Sequence, residues 1–112
     1  MKLDAYTVVF LRRPADAPAM SDDELDALQR EHLDFNTRMR EAGHAVIFGP
    51  LSGQRDESLR GISVFRASVD ETRKLAEGDP SVKAGRLVID VCTWYMQPGT
   101  LGDRPAARVE LD

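Results

Sequence analysis

The chain has 112 residues, of which 42% are hydrophobic and 30% are charged, and its net charge is −4. This length suits one small globular domain, because two domains would each be too small to bury a core. The mildly acidic balance disfavours nucleic acid as a partner, and no apolar run approaches the ~20 residues that a membrane-spanning helix needs.

The N-terminal residues and the cysteine content favour a cytoplasmic protein. The segment MKLDAYTVVFLRRP does not read as a signal peptide, because Asp4 precedes its apolar stretch, two arginines follow it and no cleavage site is present. The single cysteine, Cys92, cannot form an internal disulfide and is predicted to be a small core residue.

The first half of the chain predicts a strand, a long helix and a second strand. Residues 5–11 are β-branched and aromatic, which is typical of a strand. A helix is predicted from about residue 22 to residue 42, with Ser21 as its cap, Glu24 completing a capping box and Gly43 ending it. Residues 44–51 form the second predicted strand.

The second half predicts two more strands around a second helix. Residues 62–67 form the third strand, and a helix capped by Ser68 or Asp70 ends at Gly78. A short helical turn follows Asp79, which is its predicted N-cap because Pro80 comes next. Residues 86–96 form the fourth and longest strand.

The order β-α-β-β-α-β predicts an α+β, ferredoxin-like protomer, with a four-stranded antiparallel sheet and two helices on one face. Residues 1–97 would form this domain. Residues 98–112 would be a C-terminal tail, either flexible or adding an edge strand.

Both faces of the sheet are predicted to be apolar. The first strand places Tyr6 and Val8 on one face and Val9 and Leu11 on the other, and the fourth strand repeats this pattern. Two helices can cover only one face. We therefore expect a homodimer in which the second faces of two sheets pack together.

His32 occupies a position where the apolar stripe of the first helix calls for a leucine. The simpler interpretation is a core histidine whose nitrogens are hydrogen-bonded. The alternative is a general acid/base that faces a pocket, since an imidazole titrates near neutral pH and burying it unpaired costs roughly 1–3 kcal/mol.

A carboxylate partner for His32 has several candidates, and spacing alone does not choose between them. Asp79 is either an N-cap or a catalytic carboxylate, and Asp90, on the fourth strand, is a second candidate for burial. Gly49 either makes a turn or lets a ligand approach the backbone. Three arginines are either solvated or meet an anionic substrate, namely Arg12, Arg13 and Arg55. No metal-ligand spacing is present.

The ordered segments EHLDFNTRMREAGHAVIFGPL, GISVFRASVDETRKLAEGDPSVKAG and RLVIDVCTWY resemble the YCII-related family over nearly all of residues 5–96. The resemblance implies a dimeric α/β barrel and a site built on His32 and Asp79, with Gly49 and Pro50 in the pocket wall. Similar barrels include muconolactone isomerases and small monooxygenases, and one YCII-type member acts on chlorinated hydroxyquinols. The long loop RRPADAPAM departs from the family pattern.

Two functions remain open at this point. The first is a cofactor-free enzyme, isomerase-, lyase- or dehalogenase-like by the resemblance, in which His32 moves protons on a small aromatic or lactone substrate and Asp79 orients it. The second is a non-catalytic small-ligand binding or accessory module. A purely structural dimer is a weaker third possibility.

Overall fold

A computed structural model describes residues 1–102 and 104–111 of the chain. Within these residues the chain forms five strands and three helices, in the order β1 (Lys2–Arg12), α1 (Asp22–Glu41), β2 (Ala45–Pro50), β3 (Leu59–Phe65), α2 (Val69–Ala76), α3 (Pro80–Lys83), β4 (Val88–Met96) and β5 (Ala107–Glu110). The predicted α+β, ferredoxin-like fold is confirmed. The sheet does not close on itself within one chain.

β1 lies at the centre of an antiparallel sheet whose strand order is β2-β3-β1-β4. One edge of β1 pairs with β4, from Asp4 opposite Met96 to Arg12 opposite Val88. The other edge pairs with β3 from Thr7 onward and with β5 before it. β1 is the longest strand, and its central position buries most of its residues.

The main core lies between the helices and one face of the sheet. Its buried members come from β1, β2, β3, α2 and the residue before β4, and they are Val9, Leu11, Ala45, Phe65, Ala76 and Leu87. α1 contributes Phe35, which is buried, and Met39, which is partly buried. This packing fixes the face of α1 that turns toward the sheet, and His32 lies on that face.

α1 begins with the predicted capping box. The Ser21 hydroxyl accepts a hydrogen bond from the Glu24 N–H at 3.2 Å, and Glu24 Oε1 accepts one from the Ser21 N–H at 3.1 Å. The hydrogen bond that the Ser21 N–H donates to the Glu24 carboxylate, and then the Ser21 hydroxyl beside that carboxylate, lower the pKa of Glu24. The helix ends at Glu41, and Gly43 follows with φ +82°, a conformation that costs glycine little.

Replacing Ser21 with alanine should lower the free energy of unfolding by about 0.5–2 kcal/mol, because one amide at the start of α1 loses its acceptor. The stabilisation from Glu24 should be complete above the pKa of glutamate in the unfolded chain and should be lost as pH falls through its lowered folded value. Thermal unfolding of Ser21→Ala measures the loss of the cap. Thermal unfolding of Glu24→Gln and the wild type, over the acidic pH range in which glutamate titrates, measures the contribution of the Glu24 carboxylate. A pH dependence that is the same in Glu24→Gln and the wild type would contradict the assignment.

The other face of the sheet is partly covered by the C-terminal segment. Tyr6, Val64 and Met96 are buried there, and Leu101 packs against them. Asp4 Oδ2 accepts a hydrogen bond from the Gly99 N–H at 2.9 Å. The segment then forms β5 beside β1. The predicted tail also includes Asp103 and Asp112, which lie outside the described residues.

The rest of this face, called here the open face, stays exposed. Ile47, Val88 and Trp94 keep 47%, 46% and 42% of their surface exposed. Asp90 and Cys92 also lie here and are exposed, so neither residue belongs to the core of the single chain, where the sequence had placed Cys92. Asp90 is paired with Phe10 of β1 and Cys92 with Val8, and both side chains face away from the helices. None of the described helices is both long and apolar enough to span a bilayer.

Candidate active site

A cavity of about 550 Å³ opens between α1 and the end of the sheet formed by β2 and β3. Leu25, Leu28 and His32 of α1 form one wall, and Phe48, Gly49 and Pro50 of β2 form another. A cavity of this size matches the range of small-molecule sites, roughly 300–1,000 Å³. The predicted site residues His32, Gly49 and Pro50 therefore line one cavity.

His32 and Asp79 form a close pair at this cavity. His32 Nδ1 lies 2.7 Å from Asp79 Oδ2, across 47 residues of sequence. The exposed fraction is 13% for the His32 side chain and 4% for that of Asp79. Asp79 is not itself a lining residue, so the carboxylate lies behind the imidazole rather than in the ligand space.

Asp79 uses its two oxygens for two purposes. Oδ1 accepts a hydrogen bond from the Ser81 N–H at 2.9 Å, which caps α3, while Oδ2 holds His32. Pro80 at the first turn of α3 fixes the backbone there. The Asp79 side chain is thus both the N-cap of α3 and the carboxylate that pairs with His32.

Asn36 is a site residue that the sequence prediction missed. Its side chain is buried, and its Nδ2 lies 3.4 Å from His32 Nε2. The residues are four apart on α1, and this spacing places them on one face of the helix. The sequence contains a signal for this residue, because Asn36 is four residues after His32 and lies beside Phe35 on the buried side of α1.

The hydrogen-bond partners assign the tautomer of neutral His32. A carboxylate can only accept, so Nδ1–H donates to Asp79, and Nε2 carries the lone pair. The Asn36 amide N–H₂ donates weakly to that lone pair. The arrangement gives the site one imidazole nitrogen that can take up a proton.

The arginines proposed from the sequence have different positions. Arg13 lines the cavity. Arg12 instead pairs with Asp56, with 2.7 Å between Nη1 and Oδ2, and Arg55 is not a lining residue. Arg60 and Arg86 line the cavity, although neither was singled out in the sequence.

The glycine that the packing requires is Gly61 rather than Gly49. A Cβ on Gly61 would lie 2.9 Å from the Gly49 carbonyl oxygen, whereas a Cβ on Gly49 would meet no atom within 4 Å. Gly61→Ala should therefore destabilise the protein by about 1–3 kcal/mol, because two backbones must separate. Gly49→Ala is the matched control and should avoid that strain. Thermal unfolding measures the stability of both variants. An equal loss of stability in Gly61→Ala and Gly49→Ala would contradict the packing argument.

Among residues 1–102 and 104–111, no group of three or more histidine, cysteine, aspartate and glutamate side chains could hold a metal ion.

The fold and the site define a ferredoxin-like α+β protein with a partly buried histidine–carboxylate pair beside a cavity. Residues 6–95 match the YCII-related domain, so the chain belongs to the YCII-related family. The predicted resemblance is confirmed. None of the curated proteins compared with the chain matches it.

A solved structure is similar over most of both chains. It is 5-chloro-2-hydroxyhydroquinone dehydrochlorinase from Burkholderia phenoliruptrix AC1100, in complex with 2,5-dihydroxybenzoquinone. The TM-score is 0.53, the sequences are 22% identical, and the match covers 80% of this chain and 92% of the other. At this identity the likeness shows the fold.

Proposed function

We propose that the chain is a cofactor-free enzyme that transfers a proton on a small, partly apolar substrate. His32 would act as the general acid/base, and Asp79 would orient it. The observation that carries the proposal is the 2.7 Å contact between His32 Nδ1 and Asp79 Oδ2 at the wall of the cavity. General acid/base catalysis of this kind is worth roughly a hundred- to ten-thousandfold in rate.

Burial supports the catalytic role of the pair. The His32 ring is mostly buried and is held at Nδ1, so it loses little orientational freedom when a substrate arrives. Asp79 can stabilise the imidazolium that forms when Nε2 takes up a proton. Gly49 and Pro50 would hold the substrate against His32 from the opposite wall.

A small aromatic ring is the substrate class that the cavity supports best. Leu25, Leu28 and Phe48 provide apolar wall surface, and Ser63 and Gln29 provide polar atoms. The similar dehydrochlorinase is named for a chlorinated hydroxyhydroquinone and holds a dihydroxybenzoquinone. This supports testing hydroxylated aromatic rings first and lactones second.

A non-catalytic ligand-binding module is the second candidate, and one contact favours it. The Asn36 amide lies 3.4 Å from His32 Nε2, so the lone pair that would take the proton already has a donor beside it. In that case His32 would be a hydrogen-bonding anchor.

We also propose that a second copy of the chain covers the open face. Ile47, Val88 and Trp94 expose nearly half of their surface on one side of the sheet. A stable interface buries roughly 1,200–2,000 Å² in total, and an open sheet face is a surface that can supply such an area. The resulting assembly would be a homodimer of two sheets packed face to face.

Turnover without any added cofactor tests the enzyme proposal. The protein would be incubated with 5-chloro-2-hydroxyhydroquinone, other hydroxylated aromatic rings and lactones, and chloride release and ultraviolet absorbance would be followed. Wild type should turn over at least one compound, and His32→Gln should lose roughly a hundredfold or more.

The other histidine provides the control for this assay. His44, which follows α1, is not a lining residue, so His44→Gln should keep the wild-type rate. Turnover that survives in His32→Gln would contradict the catalytic role. Saturable binding with no turnover of any compound would favour the binding module.

A further inference from the structure

Three arginines line the cavity that holds His32. Arg13 follows the end of β1, Arg60 lies in β3, and Arg86 precedes β4. The sheet brings them together, since the Arg13 N–H donates to the Ser58 carbonyl at 2.8 Å and so joins β1 to the start of β3. The cluster is defined here as the arginine triad.

No carboxylate neutralises the triad within residues 1–102 and 104–111. Arg86 Nη1 donates to the Pro18 carbonyl at 2.9 Å, and Arg60 Nη1 donates to the Glu57 carbonyl at 3.1 Å. Arg13 forms no side-chain hydrogen bond to these residues. Each guanidinium has five N–H donors, so most donors of the triad are unused by the protein.

The local charge of the cavity is opposite to that of the whole chain. Among the described residues, Asp26 is the one acidic side chain in the lining, against three arginines. The chain as a whole carries −4. Burial, and then the charges of Arg86 and Arg60, lower the pKa of Arg13. The guanidiniums therefore repel one another, and a bound anion would relieve that repulsion.

The geometry of guanidinium groups favours a planar oxyanion. An arginine presents two parallel N–H donors that match the two oxygens of a carboxylate, and it also stacks on aromatic rings. The remaining cavity wall is largely apolar, through Leu25, Leu28 and Phe48. One ligand can satisfy both walls if it joins an aromatic ring to a negative oxygen.

We propose that the substrate of this site is a small aromatic anion, a ring carboxylate or an ionised ring hydroxyl, which the arginine triad holds while its reactive carbon faces His32. This inference rests on the proposed function and deepens it, because it names the charge of the substrate. The triad binds and orients, whereas His32 moves the proton.

Binding of two matched pairs of probes tests the charge of the ligand separately from catalysis. The probes are benzoate and 2,5-dihydroxybenzoate, each compared with its neutral amide by titration calorimetry. The wild type should bind at least one acid ten or more times more tightly than its amide, since hydrogen bonds to charged groups are worth about that factor. Added salt should reduce the preference.

Substitutions within the triad should remove that preference. Arg13→Gln and Arg60→Gln should each lower the affinity for the acid about tenfold and leave the affinity for the amide nearly unchanged. Arg12→Gln is the matched control, because Arg12 is the neighbour of Arg13, pairs with Asp56 and does not line the cavity. Arg86→Gln also loses the bond to Pro18, so its thermal unfolding should be measured beside its affinity.

The His32→Gln variant separates failure of this proposal from failure of the proposed function. The preference for the acid should persist in His32→Gln, because the triad is untouched. Equal affinity for acid and amide across both probe pairs, including no binding of either, would overturn the anion proposal. Anion preference without any turnover would retain it and remove the catalytic role.

Discussion

The Asp79→Asn variant is expected to lose roughly a hundred- to ten-thousandfold in kcat while it stays folded. An asparagine has one acceptor oxygen where aspartate has two. The Ser81 N–H, 2.9 Å from Asp79 Oδ1, can only donate, so the amide oxygen stays there to cap α3. The amide N–H₂ then faces His32.

This exchange should reverse the tautomer of the imidazole. With a donor opposite it, His32 Nδ1 must accept, and the ring proton moves to Nε2. The nitrogen that would take a proton from the substrate is then already protonated. The same substitution leaves asparagine at a helix N-cap, where it is among the best residues, so the thermal midpoint should change little.

Nitrogen-15 NMR of the two histidine side chains shows which ring nitrogen carries the proton, and it needs no substrate. His44→Gln assigns the signals, because it leaves His32 as the single histidine. Wild type should show Nδ1–H in the neutral ring, and Asp79→Asn should show Nε2–H. Asp79→Ala is the control for the capping role of Asp79. It removes the α3 cap as well as the contact with His32, and it should lower the free energy of unfolding by about 0.5–2 kcal/mol. A tautomer that is the same in wild type and Asp79→Asn would refute the orienting role.

The Trp94→Glu variant should dissociate the proposed homodimer, with at least a hundredfold rise in its dissociation constant. Trp94 is a large aromatic on the open face, in register with Tyr6 of β1. Truncation of a buried tryptophan at the centre of an interface typically costs about 2 kcal/mol or more of binding free energy. A glutamate there would also place two like charges in an apolar contact.

Tyr95 provides a matched control on the same strand. It follows Trp94 directly, its exposure of 46% is close to the 42% of Trp94, and it points to the opposite face of the sheet. Sedimentation velocity over a range of concentrations should show a dimer for wild type and Tyr95→Glu and a monomer for Trp94→Glu. A monomeric wild type, or equal dissociation of both variants, would exclude the face-to-face dimer.

Local pattern was enough to predict the order of elements, because each helix carries its own start signal. Ser21, Ser68 and Asp79 cap the three helices, as their positions in the sequence suggested. The strand ends were less predictable. β1 begins at Lys2 rather than at residue 5 because its first residues pair with β5, more than 100 residues away.

The site was predictable where a residue breaks a pattern and less so where only the sheet register brings residues together. His32 interrupts an apolar stripe, and its face follows from the helical period. Asp79 required the family resemblance, since 47 residues separate it from His32. Arg60 and Arg86 looked like ordinary charges at strand ends. Asp90 is exposed in the single chain, because alternation along a strand does not say what covers each face.

The dual use of Asp79 joins the folding of α3 to the position of the His32 ring. Any drift of this carboxylate away from His32 also strains the first turn of α3, so thermal motion at the site is limited by the integrity of that short helix. Random mutagenesis scored by the yield of folded protein would therefore classify Asp79 as a structural position and would not detect its contact with His32. Selection for soluble expression alone would retain Asp79 whether or not the proposed proton transfer takes place.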